Sequence, residues 1–144
     1  MNNSCLYPTI CNLCGGEVQY INNSVIYGKQ YGSGYCYYCS ACGAFVGTHK
    51  PRPKEALGVL ANSNMRKQKI ACHEIFDALW DSPRQRSLLY KALAGAMNIS
   101  VDECHFGWFD SQQLTEALAI LKEWQEKSKR QLKNLMYRQV TQSS

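Results

Sequence analysis

The sequence predicts an α+β protein, a small β ribbon followed by a three-helix unit, on three observations. Two Cys-x-x-Cys-Gly knuckles, Cys11-Asn-Leu-Cys14-Gly15 and Cys39-Ser-Ala-Cys42-Gly43, bracket a stretch rich in strand formers. Pro51 and Pro53 then interrupt regular structure. Beyond residue 62 the apolar residues recur at helical spacing.

The knuckles come first in that argument. Two residues between cysteines let one tight turn present both sulfurs to the same ion, and Zn²⁺ favours four tetrahedral thiolates. A glycine after the second cysteine suits the positive φ needed as the chain turns back under the metal. A lone Cys-x-x-Cys is equally a redox motif; two pairs with matching glycines specify a zinc site. Cys11, Cys14, Cys39 and Cys42 are therefore the expected ligands of one structural Zn²⁺. Cys36-x-x-Cys39 is also a chelating spacing, but the glycine after Cys42 favours Cys39 with Cys42 and leaves Cys36 as a strand residue or spare thiol. Cys5 has no partner at chelating spacing and reads as a free thiol, and Cys72 reads as a buried structural cysteine.

The β elements follow from alternation and turn chemistry. Val18 to Ile21 and Val25 to Tyr27 flank Asn22-Asn23-Ser24, which predicts a hairpin. Tyr35 to Tyr38 and Ala44 to Gly47 flank the second knuckle as further strands. A ribbon this small has little core, so metal supplies much of its folding energy.

The helical elements follow from capping signals. Asn62 or Ser63 caps a first helix reaching about Trp80, with Met65, Cys72, Phe76 and Leu79 as its apolar stripe. Ser82-Pro83 starts a second helix, carrying Leu89, Leu93, Ala96 and Met97 and ending near Asn98. Ser100 and Glu103 have capping-box spacing ahead of a short helical turn. Asp110 and Gln113 repeat that spacing at the head of a long final helix, whose stripe of Leu114, Ala117, Leu118, Leu121 and Trp124 continues less regularly through Leu132 and Leu135. The expected organisation is a ribbon over residues 1–50 and a helical unit over 51–144, folded as one compact body.

Composition and charge narrow the function classes. No apolar run reaches the roughly 18 residues of a membrane span, and the N-terminus lacks signal-peptide character. Both point to a reducing cytoplasm, where cysteines bind metal more often than they form disulfides. The net charge of +5 is unevenly placed: residues 1 to 48 hold only Lys29 and Glu17. Lys50, Arg52, Lys54, Arg66, Lys67 and Lys69 form one basic segment, and Lys127, Lys129, Arg130, Lys133 and Arg138 form another. Such patches suit a polyanion, nucleic acid first, although a solvated helical face has the same pattern. Six tyrosines crowd the ribbon (Tyr20, Tyr27, Tyr31, Tyr35, Tyr37 and Tyr38) and cannot all be buried. Exposed, they stack on bases or anchor an interface; paired across strands, they stabilise the sheet.

A catalytic alternative rests on His49, His73, His105 and Asp110. Imidazole and carboxylate together can position a metal-bound water. The bland reading makes Asp110 a helix cap, His73 a surface residue beside Asp77 and His105 a packing residue. Cys104-His105 adds a weaker option of a further zinc contact. No phosphate-binding loop, Gly-x-Ser-x-Gly or His-Glu-x-x-His is present.

Ile26 to Gly32, Cys39 to His49, His73 to Trp80 and Cys104 to Asp110 together resemble the phage and prophage zinc-finger-containing domain family, a family of unknown function. The resemblance implies a phage-related origin and a single compact unit without supplying an activity. The leading expectation is a zinc-stabilised protein that binds nucleic acid, or a protein–nucleic acid complex, through Lys50, Arg52, Lys54, Arg66, Lys67 and Lys69 and through Lys129, Arg130 and Lys133. The alternatives are a phage-encoded inhibitor of a host defence enzyme that itself binds nucleic acid, and a metal-dependent nuclease using the histidines and Asp110.

Overall fold

In the computed structural model, which describes residues 6–142, the chain divides into two units, 1–66 and 67–144. The α+β class stands: a three-stranded antiparallel sheet with a four-cysteine cluster precedes the helices.

In the first unit the strands are β1 (Val18–Asn22), β2 (Tyr35–Cys39) and β3 (Phe45–Gly47), in the order β1-β2-β3. Val18 pairs with Cys39 and Asn22 with Tyr35, while Tyr37 pairs with Val46. The period of two therefore puts Tyr20, Tyr35, Tyr37 and Val46 on one face and Cys36 and Tyr38 on the other. The expected hairpin at Asn22-Asn23-Ser24 is not formed. Ser24–Tyr27 is instead a single helical turn, α1. Two local bonds explain this: Asn22 Oδ1 accepts from the Ser24 N–H at 2.9 Å, and Gly28, at φ +81°, closes the turn onto Ser24 O at 2.7 Å. β1 finds its partner in β2, so the β-branched pair Val25-Ile26 has no strand to join. The segment after the prolines belongs to this unit as well. Thr48 bridges Ala56, Phe45 bridges Ala61, and the Leu57 N–H donates to Gly47 O at 2.9 Å.

Helix α2 (Ser63–Asp77) is capped by Asn62, whose Oδ1 accepts from the Met65 N–H at 2.8 Å. It ends short of the expected Trp80, whose indole N–H donates to Asp77 Oδ1 at 3.2 Å. Helix α3 (Pro83–Met97) starts on Ser82, accepting from the Gln85 N–H at 3.2 Å, and stops at Asn98 in the left-handed region at φ +59°. Short 3₁₀ turns follow at Val101–Glu103 and Phe106–Trp108. Helix α4 (Ser111–Gln125) carries a full capping box between Asp110 and Gln113. The single long final helix expected from the sequence is two helices: α4 stops, and α5 runs over Lys129–Gln142. Ser128 is the reason. Its Oγ accepts from the Gln131 N–H at 3.1 Å and its N–H donates to Gln131 Oε1 at 2.9 Å, a second capping box that satisfies orphan donors at a fresh start.

The core of the second unit is aromatic. Phe76, Phe106 and Phe109 are fully buried with Leu89, Leu93, Leu114, Leu121 and Met136. The Phe106 ring meets Phe76 edge-on at 5.6 Å and Phe109 at 5.7 Å, and Tyr90 lies 4.3 Å from Phe76. The Cys104 to Phe109 stretch, the least helix-like in this half, is thus the plug that fills the space among the helices. Cys104, which begins this stretch, and Cys72 on α2 are both buried, and burial pushes each thiol up to about 11.

Phe106→Ala removes the centre of this plug and is expected to cost about 3–5 kcal/mol. Urea denaturation of the full chain measures it, and a loss below about 1 kcal/mol would show that the cluster collapses freely around the gap.

Candidate metal centre and basic surface

The two knuckles have the same backbone wiring. In the first, the Gly15 N–H donates to Cys11 O at 2.9 Å and the Cys11 N–H to Gly16 O at 2.8 Å. In the second, the Gly43 N–H donates to Cys39 O at 2.8 Å and the Cys39 N–H to Ala44 O at 2.9 Å. Gly15 at φ +76° and Gly43 at φ +82° occupy the conformation the sequence argument required of them. Asn12, between the first two cysteines, ties its knuckle to the chain near residue 60. Its amide donates to Leu60 O at 3.0 Å and accepts from the Leu60 N–H at 2.9 Å.

This wiring brings the sulfurs of Cys11, Cys14, Cys39 and Cys42 within 4.8 Å of one another. Cys14 and Cys39 are 3.5 Å apart, Cys11 and Cys42 3.7 Å. Tetrahedral thiolate coordination with bonds of about 2.3 Å places sulfurs about 3.8 Å apart, close to these two separations, so the donor set is able to hold a metal ion. Backbone N–H groups face the sulfurs: Leu13 toward Cys11 and Gly16 toward Cys14, each at 3.4 Å. The thiols compete for protons. The Cys42 N–H, followed by the Cys14 thiol and the Ala41 N–H, draws Cys39 down to about 7 against the opposing effect of burial. For Cys14 the Gly16 N–H pulls the other way, yet the neighbouring Cys39 and Cys42 thiols push it up to about 12. Protons are thus shared poorly among four crowded sulfurs, and a cation resolves the conflict.

Cys36, the rival ligand, lies in β2 opposite Ile21 and Gly47, fully buried, and is not one of the four. Cys5 lies outside the described residues. Gly16 is a part of the site that spacing alone does not reveal. A Cβ there would stand 3.0 Å from Ala41 Cβ, 3.1 Å from Cys39 Sγ and 3.2 Å from Cys14 Sγ, so the first knuckle's backbone passes against the second.

The histidines are placed by packing. His73 is exposed on α2 with one side of its ring edge-on to Phe106 at 4.9 Å, and this partial desolvation lowers its pKa against the opposing pull of Asp77. His105 stands 6.2 Å from the Tyr90 ring. His49 is half-buried after β3, its N–H donating to Glu55 O at 3.0 Å. Asp110 is occupied as the α4 cap. Among the described residues the four cysteines are the group able to hold a metal, and these histidines and Asp110 are not part of it.

The basic residues differ in availability. Lys50, Lys54, Lys67, Lys129, Arg130 and Lys133 are exposed. Arg52 is paired with Glu55. Arg66 is used within the first unit: its guanidinium donates to Ala61 O at 2.6 Å and stands 4.0 Å above the Phe45 ring. Lys69 is half-buried and engaged. In the first unit the basic segment is tied to the tyrosine face. Tyr20 donates its hydroxyl to Pro53 O at 2.6 Å and Tyr37 to Lys54 O at 2.5 Å. Tyr20 and Tyr35 stack at 5.1 Å and 8°, both partly exposed.

An antiparallel ribbon carrying a four-cysteine cluster able to hold a metal, followed by helices, defines an α+β protein of the four-cysteine ribbon type. The chain belongs to the zinc-finger-containing domain family, whose model matches residues 7–142. No curated protein and no solved structure matches it. Among the described residues no helix is long and apolar enough to cross a membrane.

Cys39→Ser is expected to abolish metal retention and Cys36→Ser to preserve it, read as metal per chain after gel filtration. Gly16→Ala crowds the two knuckles and is expected to lower the stability of the metal-bound protein by about 1–3 kcal/mol. Thiolate ligands bind metal only when deprotonated, so protons compete with the metal as pH falls: Cys39 takes one up below about 7, and Cys14, at about 12, must give one up to the metal throughout the neutral range. Release to a chromophoric chelator, followed between about pH 8 and pH 5, should rise as pH falls; release independent of pH would refute thiolate coordination.

Proposed function

We propose that the metal is zinc and that the protein is a zinc-stabilised nucleic-acid-binding protein. Four thiolates at tetrahedral spacing suit Zn²⁺, and the family description agrees. The observation that carries the binding reading is the pair of tyrosine hydroxyl bonds to Pro53 O and Lys54 O. They hold the backbone of Pro53 and the exposed Lys54 at the tyrosine face, where Tyr20 and Tyr35 are partly exposed, so one surface offers a cation for phosphates and π-faces for bases. Lys129, Arg130 and Lys133, near the start of α5, supply a second exposed cationic surface in the other unit. The zinc acts as a staple, since the knuckles themselves carry no basic residue. In this reading the chain is of phage or prophage origin and works in the bacterial cytoplasm, where thiols stay reduced.

Titration of the full chain with single- and double-stranded oligonucleotides tests this. Affinity should fall steeply with salt, and joint replacement of Lys129, Arg130 and Lys133 by Ala should flatten the slope of log K against log[salt] by roughly 2–3. Salt-independent binding, or no binding at low salt, would overturn the reading. Capture of a single host protein without nucleic acid would favour the inhibitor alternative.

A further inference from the structure

We propose that a cavity at the edge of the ribbon sheet is a pocket for an unpaired nucleobase, so that the nucleic acid bound is single-stranded. This rests on the nucleic-acid reading above and gives it a strand type. The cavity measures about 450 Å³, within the usual range for ligand sites of roughly 300–1,000 Å³. Its walls are the rings of Tyr27, Tyr31 and Tyr35 with Leu57, and Ser33 and Thr48 contribute hydroxyls.

The site is built in advance rather than left to a floppy loop. Asn23 is 5% exposed, and its side chain grips Tyr31 from both sides: Nδ2 donates to Tyr31 O at 2.8 Å and Oδ1 accepts from the Tyr31 N–H at 3.1 Å. Tyr27 is fixed edge-on between Tyr31 at 5.2 Å and Phe45 at 5.9 Å. Even so, Tyr27 and Tyr31 remain 49% and 51% exposed. Rings held in position yet half open to solvent contribute little to a core and much to stacking. The Ser33 and Thr48 hydroxyl oxygens lie 2.5 Å apart, and Thr48 is buried.

The charge around the cavity selects the ligand. No acidic side chain lines it, which disfavours an ammonium ligand despite the aromatic walls. Lys29 stands 5.3 Å from the Tyr31 ring centroid. Leu57 is joined to the sheet edge through its N–H bond to Gly47 O, three residues after Lys54 in the basic segment. Tyr35, on the cavity wall, stacks on Tyr20, whose hydroxyl holds Pro53. A planar group with apolar faces and a polar edge, carried on an anionic chain, matches these features together. That is a nucleobase on its phosphodiester strand.

Fluorescence anisotropy of the full, zinc-loaded chain tests this, with oligodeoxythymidylate and oligouridylate of about 12 nucleotides and a duplex of equal length. Single strands of DNA, RNA or both should bind more tightly than the duplex. Tyr27→Ala and Tyr31→Ala should each weaken single-strand binding roughly 5- to 100-fold, with the salt slope nearly unchanged. Tyr31→Phe should keep the affinity, and Leu57→Trp, which fills the cavity without deleting a ring, should lose it; zinc content verifies that each variant is folded. Unchanged single-strand affinity in Tyr27→Ala, Tyr31→Ala and Leu57→Trp, or equal affinity for the duplex, would overturn the pocket while leaving a salt-dependent nucleic-acid binder. Absence of binding to every oligonucleotide would overturn both.

Discussion

Four sulfurs gathered within 4.8 Å of one another join two loops that the sheet alone leaves unjoined. Cys39 is the last residue of β2, while Cys11 and Cys14 precede β1, so the cluster ties one end of the sheet to the chain that enters it. Without a cation the arrangement is frustrated: crowded thiols disagree about protons, one drawn down to about 7 and another pushed up to about 12. With a cation the same crowding becomes the fold's strongest local bond set, and the folding of a ribbon this small becomes inseparable from metal binding. The rest of the first unit hangs from that constraint. Asn12, between two of the ligands, carries it to Leu60, and bridges at Ala56 and Ala61 fasten the intervening segment to β3.

The ribbon's tyrosines divide the labour that composition presents as one cluster. Tyr37 is buried and spends its hydroxyl on Lys54 O; Tyr20 does the same for Pro53 O while leaving part of its ring exposed. Tyr27, Tyr31 and Tyr35 are held by neighbours and left open. Tyr20, Tyr35 and Tyr37 share one sheet face, and position along it separates them: Tyr37 pairs with both Tyr20 and Val46 across the sheet, while Tyr35 pairs with Asn22 at the end of β1. Residues that stabilise the sheet thereby also position those that face outward.

The second unit solves a different problem. Its helices close around Phe76, Phe106 and Phe109, and the irregular 104–109 stretch exists to deliver two of those rings. His73 and His105, both exposed, stand at the border of the same aromatic cluster. Its cationic residues lie on the exposed side of α5, while Leu132 and Met136 of that helix are buried. This separation of charge and apolar side chains is what a helix with one dry and one wet face requires.

The four cysteines, the glycines behind them, the caps at Asn62, Ser82 and Asp110, and the α+β order were legible in the sequence. Each depends on residues a few positions apart, where local geometry leaves few options. Two readings failed, one for want of non-local information and one because a local signal was masked. Val25 to Tyr27 has strand composition but becomes helical because β1 pairs with β2, a choice made across the sheet. The break at Ser128 was written in a capping box, but a continuing apolar pattern concealed it. Which tyrosines stay open, that Asn23 clamps Tyr31 and that Arg66 is consumed by Phe45 and Ala61 were beyond the sequence. The sequence by itself determined which four cysteines gather and where the charge lies, because cysteine spacing and ionisation are local properties. Only the tertiary structure decided which rings and cations share a surface, because that depends on strand register and on where two hydroxyls find their carbonyls.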